Sequence, residues 1–385
     1  MQIKEESLYN YFKLAYELDM PYTDYSYVLE ELEKNNLSNY VTNVKRLMID
    51  MFESTNQYQE AFNFLKDKHL PDREEQAVLQ RLSFYLGVQH HNNAKYSDAL
   101  LMFEYSQKHA YDHDIDLMSS YWIADCYFHQ RHYQKSIDNY LRFINTSSTE
   151  LVSKMGIAQY NLAYAYFYDQ NYASAANYFR KALRQDMDQE RENDANLRLA
   201  DSYYMMKDFL KARAYYIQSK DLNVFDQDYA LYQQSQCASL LSKLQEQEDA
   251  LMHILDNFSS SPYYEKALID LANLYKNKNE NDQALVYYNK VLISAFDDQS
   301  YAVALLNKGL IYFNELELEK SVACFKEIIS DYDRTSSFHE AKVGLRNAYV
   351  KIGDVQKYMS FINTIPSIDF SVASQDSLMY KIIRI

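Results

Sequence analysis

Apolar and small residues recur along this chain at spacings of three and four, interrupted by short polar stretches. Positions i, i+3 and i+4 share one face of a helix, so the pattern predicts a succession of amphipathic helices joined by brief turns. Two segments show the repeating unit in full. Residues 156–183 read GIAQYNLAYAYFYDQNYASAANYFRKAL, and 265–292 read EKALIDLANLYKNKNENDQALVYYNKVL. In each, a small residue (Ala163, Ala272) is followed three positions later by a tyrosine (Tyr166, Tyr275). After a polar turn come an alanine (Ala175, Ala284) and, four residues on, an aromatic (Phe179, Tyr288). Small residues facing each other let two antiparallel helices approach closely, and the neighbouring tyrosine fills the groove beside them. Phe179 and Tyr288 are then expected to pack against the next pair.

The unit recurs in register over residues 43–365. Its second-helix small position runs Ala61, Ala99, Ser136, Ala175, Ala212, Ala250, Ala284 and Ser321, at intervals between 34 and 39 residues. A ninth unit surrounds Tyr349 and Gly353, with Tyr358 in the small position. The first-helix small position runs Gly87, Ala124, Ala163, Ala200, Ala238, Ala272 and Gly309. Before the repeats, residues 5–18 and 25–35 read as two helices split at Met20-Pro21 and lacking the small residues, as an end cap would. The expected organisation is therefore a helical cap over 1–40, a repeat array over 41–366, and a tail or further helix start over 367–385.

Composition sharpens this reading. Only 5 Gly and 4 Pro occur in 385 residues, against 39 Tyr. Sheet folds, dinucleotide-binding folds and phosphate loops need glycine at tight turns, so an all-α chain remains. With 48% hydrophobic residues it is long and apolar enough to fold. The net charge of −15 disfavours nucleic acid and anionic membrane surfaces, and it suits a basic partner. No stretch of about 18 apolar residues exists, so no membrane insertion is expected. Cys126, Cys237 and Cys324 lie far apart without zinc-type spacing and are expected to be buried thiols.

The small–aromatic–Tyr–Ala–aromatic pattern resembles that of the tetratricopeptide repeat family, although the interval is nearer 37 than the family's 34. The resemblance implies a right-handed α-solenoid of about nine helix pairs whose first helices line a concave binding groove. The segment 258–267, with Ser261-Pro262 before an acidic-Lys-Ala helix start, is similar to the joining segments of bacterial envelope members of the outer-membrane-assembly lipoprotein and Tol-associated coordinator types. Ser261 is expected to cap the following helix and Pro262 to occupy its first position.

Carried onto this chain, the groove face comprises Tyr121, Asp125 and Phe128, then Tyr160, Tyr164 and Phe167, then Asp194, Asp201 and Tyr204. Aromatics interspersed with carboxylates suit a peptide or helix with apolar anchors and basic or amphipathic character. Six histidines fall between His90 and His132. A metal site needs convergent ligands, which spacing alone does not show, so they are expected as surface or groove side chains with no metal. No catalytic motif is found, and neither an enzyme nor a cofactor is expected. The expectation is a non-enzymatic protein-binding scaffold, with a role in envelope assembly if the finer resemblance holds. A peptide-sensing regulator and a non-catalytic arm of a longer protein stay open as alternatives, as does the compartment: periplasmic or envelope-associated if part of an exported chain, cytoplasmic otherwise.

Overall fold

The computed structural model describes residues 2–17, 31–32, 34, 40–41, 43–44, 46–47, 58–66, 73–146, 151–295 and 297–366. Among them all regular structure is helical. The helices with defined bounds are α1 (Gln2–Glu17), α2 (Tyr58–Lys66), α3 (Arg73–Asn92), α4 (Tyr96–Lys108), α5 (His113–His129), α6 (Tyr133–Thr146), α7 (Val152–Tyr168), α8 (Tyr172–Ala182) and α9 (Gln189–Met205). They continue with α10 (Phe209–Leu222), α11 (Gln227–Leu240), α12 (Leu244–Asn257), α13 (Tyr264–Asn277), α14 (Asn281–Ser294), α15 (Asp298–Asn314), α16 (Leu318–Asp331), α17 (Ser337–Ile352) and α18 (Val355–Ile362). The chain divides into two compact units between Ser202 and Tyr203. Within each unit consecutive helices pack as hairpin pairs, α3 on α4 and α5 on α6 in the first, α13 on α14 and α15 on α16 in the second. First helices of successive pairs also touch, α3 with α5, α5 with α7, and α13 with α15. This is the expected α-solenoid of about nine pairs. The expected tail over 367–385 and most of the expected second cap helix lie outside the described residues.

One turn geometry closes every hairpin from α3 onward. Ala94, Arg131, Gln170, Lys207, Ser242, Asn279 and Leu316 sit in the left-handed region with φ between 57° and 65°, and Gly353 has φ 83°. The next residue's N–H returns to a carbonyl five residues earlier, from Lys95 to His90, His132 to Tyr127, Asn171 to Tyr166 and onward to Asp354 to Tyr349, at 2.8–3.1 Å. That bond satisfies a carbonyl the helix end would otherwise orphan, and the left-handed residue makes it reachable. The residue that donates it then starts the second helix. Asn171, Asp208 and Asp354 also accept a backbone N–H of the next helix at their side chains.

This turn corrects the register of one unit. In the other units the small residue lies four positions after the residue that starts the second helix, as Ala212 lies after Asp208, its N–H bonded to that residue's carbonyl. In the sixth unit the starting residue is Lys243, and Gln247, buried, occupies that place. Ala250 is one turn too late. On α11 the buried Ser235 takes the place expected for Ala238. Elsewhere the small positions are as expected, with Ala61, Ala99, Ser136, Ala175, Ala212, Ala284 and Ser321 all fully buried.

The aromatic four residues on meets the next pair, as Phe103 stacks on Trp122 at 6.3 Å, and also packs against the first helix of its own pair. Phe179 meets Tyr160 and Tyr164 of its own pair, with ring centroids 6.0 and 5.3 Å apart. Gly87 explains the constraint: a Cβ there would lie 2.5 Å from the Phe103 ring. Phe325 is gripped from both sides, since a Cβ at Gly309 of its own pair or at Gly344 of the next would lie 2.7 or 2.6 Å from it. The second-helix ring therefore sets how close the first helix can come. A further difference concerns Ser261 and Pro262. α13 begins at Tyr264 with Tyr263 as its cap residue, and its side chain makes no capping bond. Ser261 Oγ instead accepts the Tyr263 N–H at 3.0 Å and donates to Asp228 at 2.5 Å, closing a turn ahead of the helix.

Candidate functional site

Of the residues expected on the groove face, Asp125, Phe128 and Tyr164 line one cavity in the first unit, where α5 packs between α3 and α7. Asp112 caps α5, accepting the N–H groups of Asp114 and Ile115 at its side chain. From there Tyr121, Asp125 and Phe128 follow at helical spacing. A cavity of about 210 Å³ opens between Asp125, Phe128 and His129 of α5, Tyr140 of α6, and Asn161, Tyr164 and Tyr168 of α7. Its walls are aromatic. Phe128 meets Tyr168 edge-on at 5.7 Å, and Tyr168 stacks on Tyr133 at 5.5 Å.

Asp125 is the carboxylate at the cavity wall. The buried Tyr140 donates its hydroxyl to Oδ1 at 3.0 Å, while Oδ2 lies 2.6 Å from His91 Nε2 and 3.5 Å from His129 Nε2. Burial pushes the Asp125 carboxyl up, but the bonds from His91 and Tyr140 and the charges of His91 and His129 outweigh it and hold the group below its ordinary value.

The other expected carboxylates are engaged as well. Asp194 accepts a hydrogen bond from Tyr160 at 2.7 Å and another from Tyr164 at the same oxygen, and its second oxygen lies 3.4 Å from Arg198 Nε. Arg198 also pairs with the buried Asp201 at 2.5 Å. Burial and the Asp194 charge together push the Tyr164 phenol far up. Two of the three expected carboxylates thus share one arginine, which reduces the negative charge offered to a basic ligand.

Tyr121 is mostly core. It packs edge-on against Tyr140 and Phe143 at 5.6 and 5.5 Å, and its oxygen accepts the Asn161 amide at 3.1 Å. Burial, then the Asp125 charge, pushes its phenol up to about 12. Phe167 meets Tyr172 across its own turn at 5.5 Å. Tyr204 belongs to the second unit, where it meets Phe209 at 5.4 Å.

The reading of the groove positions left out His129, Tyr140, Asn161 and Tyr168 at the cavity, and His91 bonded to Asp125 beside it. His91 stands 37 residues before Phe128 and 34 before Asp125. It is therefore the same repeat position as Phe128, one unit earlier, and extending the groove register back by a unit finds it. Cys126, Cys237 and Cys324 are free and buried, as expected. No described helix is long and apolar enough to cross a membrane.

Comparison with known proteins agrees with this architecture. Residues 160–220 and 262–293 each match the tetratricopeptide repeat. No curated protein matches the chain in sequence. Among solved structures, the C-terminal part of a TPR repeat-containing protein from Cytophaga hutchinsonii superposes with a TM-score of 0.55 at 15% identity, covering 68% of this chain and 99% of that one. YrrB, a TPR protein described with an unusual peptide-binding site, aligns at 20% identity over 54% of this chain and 97% of its own, with a TM-score of 0.42. A tetratricopeptide repeat protein from Parabacteroides merdae aligns at 12% identity over 70% of this chain and 98% of its own, also at 0.42. The chain is an α-solenoid of helix pairs, two stretches of which match the tetratricopeptide repeat.

Proposed function

We propose that the protein is a non-enzymatic scaffold that captures a helical or extended segment of a protein partner on the first-helix face of its first unit. The observation that carries this is the aromatic-walled cavity closed by Phe128, Tyr164 and Tyr168 around the Asp125 carboxylate. An apolar or basic side chain entering it would meet ring faces beside the Asp125 carboxylate, the combination that favours aromatic anchors and cation–π contact. The α-solenoid is an architecture typical of non-catalytic scaffolds. The partner's basic or amphipathic character rests on Asp125 and on the overall charge of −15, since Asp194 and Asp201 are engaged with Arg198. The similarity of 258–267 to joining segments of envelope proteins supports bacterial cell-envelope assembly as the setting.

The test is a photo-crosslinking amino acid at position 168, whose tyrosine is 52% exposed at the cavity rim. In source cells it should trap a discrete partner, and Phe128→Ala with Tyr164→Ala should remove that adduct while leaving the helical circular dichroism intact. An adduct that persists in the double variant counts against this cavity. An adduct whose other member is a cytoplasmic protein counts against the envelope setting.

A further inference from the structure

We infer that His91, Asp125 and His129 form a binding site for a divalent transition metal such as zinc, with its open coordination position facing the aromatic cavity. The three side chains come from two helices. His91 lies in the last turn of α3, while Asp125 and His129 are one turn apart on α5 and so project from one face. Their ligating atoms all lie within 4.8 Å of one another. A tetrahedral ion with bonds of about 2.0–2.1 Å holds its ligand atoms roughly 3.3 Å apart. The two distances to Asp125 Oδ2, 2.6 Å from His91 and 3.5 Å from His129, bracket that figure. His91 and His129 lie within the same 4.8 Å limit, so rotation of these side chains brings the three atoms to that spacing.

The surroundings hold the ligands in place. Tyr140 fixes the remote oxygen of Asp125, the outer contact that orients a ligating carboxylate. Tyr96 stacks flat on the exposed His129 ring, with centroids 4.7 Å apart and planes within 4°. His91 is wedged edge-on between Tyr96 and Trp122, at 5.4 and 4.8 Å. Only its Nε2 faces the other two ligands; its Nδ1, which carries the ring proton when Nε2 ligates, is enclosed without a hydrogen-bond partner. Two imidazoles and one carboxylate select zinc, nickel, cobalt or copper over magnesium and calcium, which require mostly oxygen ligands. Asp125 and His129 themselves line the cavity, so the fourth position faces it, open to water or to a donor from a bound partner. The site does not depend on the partner-binding reading.

Trp122 is the only tryptophan in the chain, and its ring is 4.8 Å from His91, which makes it a built-in reporter. The experiment titrates tag-free full-length protein with Ni²⁺ or Cu²⁺ at neutral pH while following Trp122 fluorescence, with Zn²⁺ as competitor. We expect saturable one-to-one quenching that Zn²⁺ reverses and Mg²⁺ does not. His129→Gln should weaken it at least about tenfold, and Tyr140→Phe by about 10-fold or more through the carboxylate it orients. His129 is exposed enough that its replacement keeps the fold, verified by circular dichroism. His113→Ala, on the exposed start of α5, should change nothing. Absence of saturable quenching in the parent protein, or quenching unchanged in His129→Gln combined with Asp125→Asn, overturns the site.

Discussion

Tyr160 of α7 donates its phenol hydroxyl to Asp194 of α9 at 2.7 Å, and the same carboxylate oxygen also receives Tyr164. A carboxylate that reads from sequence as a hook for a basic ligand is in fact a strut between neighbouring first helices. Arg198 one turn along α9 offsets its charge. Replacing it with a neutral amide removes charge-assisted bonds from two half-buried phenols. Asp194→Asn should therefore cost about 2 kcal/mol, within the range for bonds to charged groups. The check is urea unfolding, with a lowered midpoint at unchanged slope. A loss of partner binding without loss of stability would return Asp194 to the ligand-contacting set.

The hairpin turns place non-glycine residues at positive φ, with Leu316 at 65° and 61% exposed. Left-handed geometry costs an ordinary side chain roughly 1–2 kcal/mol, while glycine's extra freedom in the unfolded chain takes back about 0.5–1 kcal/mol. Leu316→Gly should therefore stabilise by about 0.5–1 kcal/mol. Gly353, with φ 83° and open space around its missing Cβ, supplies the converse. Gly353→Ala should destabilise by about 1 kcal/mol for backbone reasons alone. Thermal midpoints of the two variants should move in opposite directions. Shifts of the same sign would refute the shared-turn account.

Phe325 is held between Gly309 and Gly344. Gly309→Ala gains helix propensity of about 1 kcal/mol, but it drives a methyl into a ring that cannot retreat, an overpacking cost of about 1–3 kcal/mol. The net should be a loss of up to about 2 kcal/mol. In a Phe325→Leu background the ring is gone and the same substitution should become neutral or favourable. A double-mutant cycle measures the difference directly, and additive effects would show that the ring does not set the helix separation.

These cases show where the sequence is readable. Small and aromatic positions are local in each unit, so their spacing gives away the helices, the pairs and most of the buried alanines. The sixth unit misleads because Gln247 fills a position that alanine or serine fills in neighbouring units and Ser235 one that alanine or glycine fills, while Ala238 and Ala250 stand three residues on as decoys. The candidate site is legible only in part for a similar reason. Asp125 and Phe128 share a helix face and can be grouped by eye. His91 joins them through packing of α3 on α5, across 34 residues. The pairing of Asp194 and Asp201 with Arg198 has the i, i+4 and i+3 spacing of a helical ion pair, but the sequence does not say whether the arginine faces them or water.

Glu248 of α12 provides a pH test in the second unit. Lys278 donates to it at 2.5 Å and Tyr275 at 2.6 Å. Burial raises the Glu248 carboxyl, but the bonds from Lys278 and Tyr275 and the lysine charge prevail, so its folded value lies below the ordinary one. An acid whose folded value is depressed contributes stability above its unfolded value, about 4.3, and loses it as pH falls through the folded value. Tyr275 behaves oppositely at the alkaline end. Burial, then the bond to Glu248, raises its phenol. Its contribution is complete below about pH 10, the unfolded value, and is lost as pH rises further. The stability difference between the parent protein and Glu248→Gln should therefore be flat between about pH 5 and 9, shrink toward zero in acid, and shrink again above about pH 10. Denaturant midpoints of both proteins across this range measure it. A difference that persists at pH 2 would mean that the substitution acts by repacking rather than through the charge of Glu248.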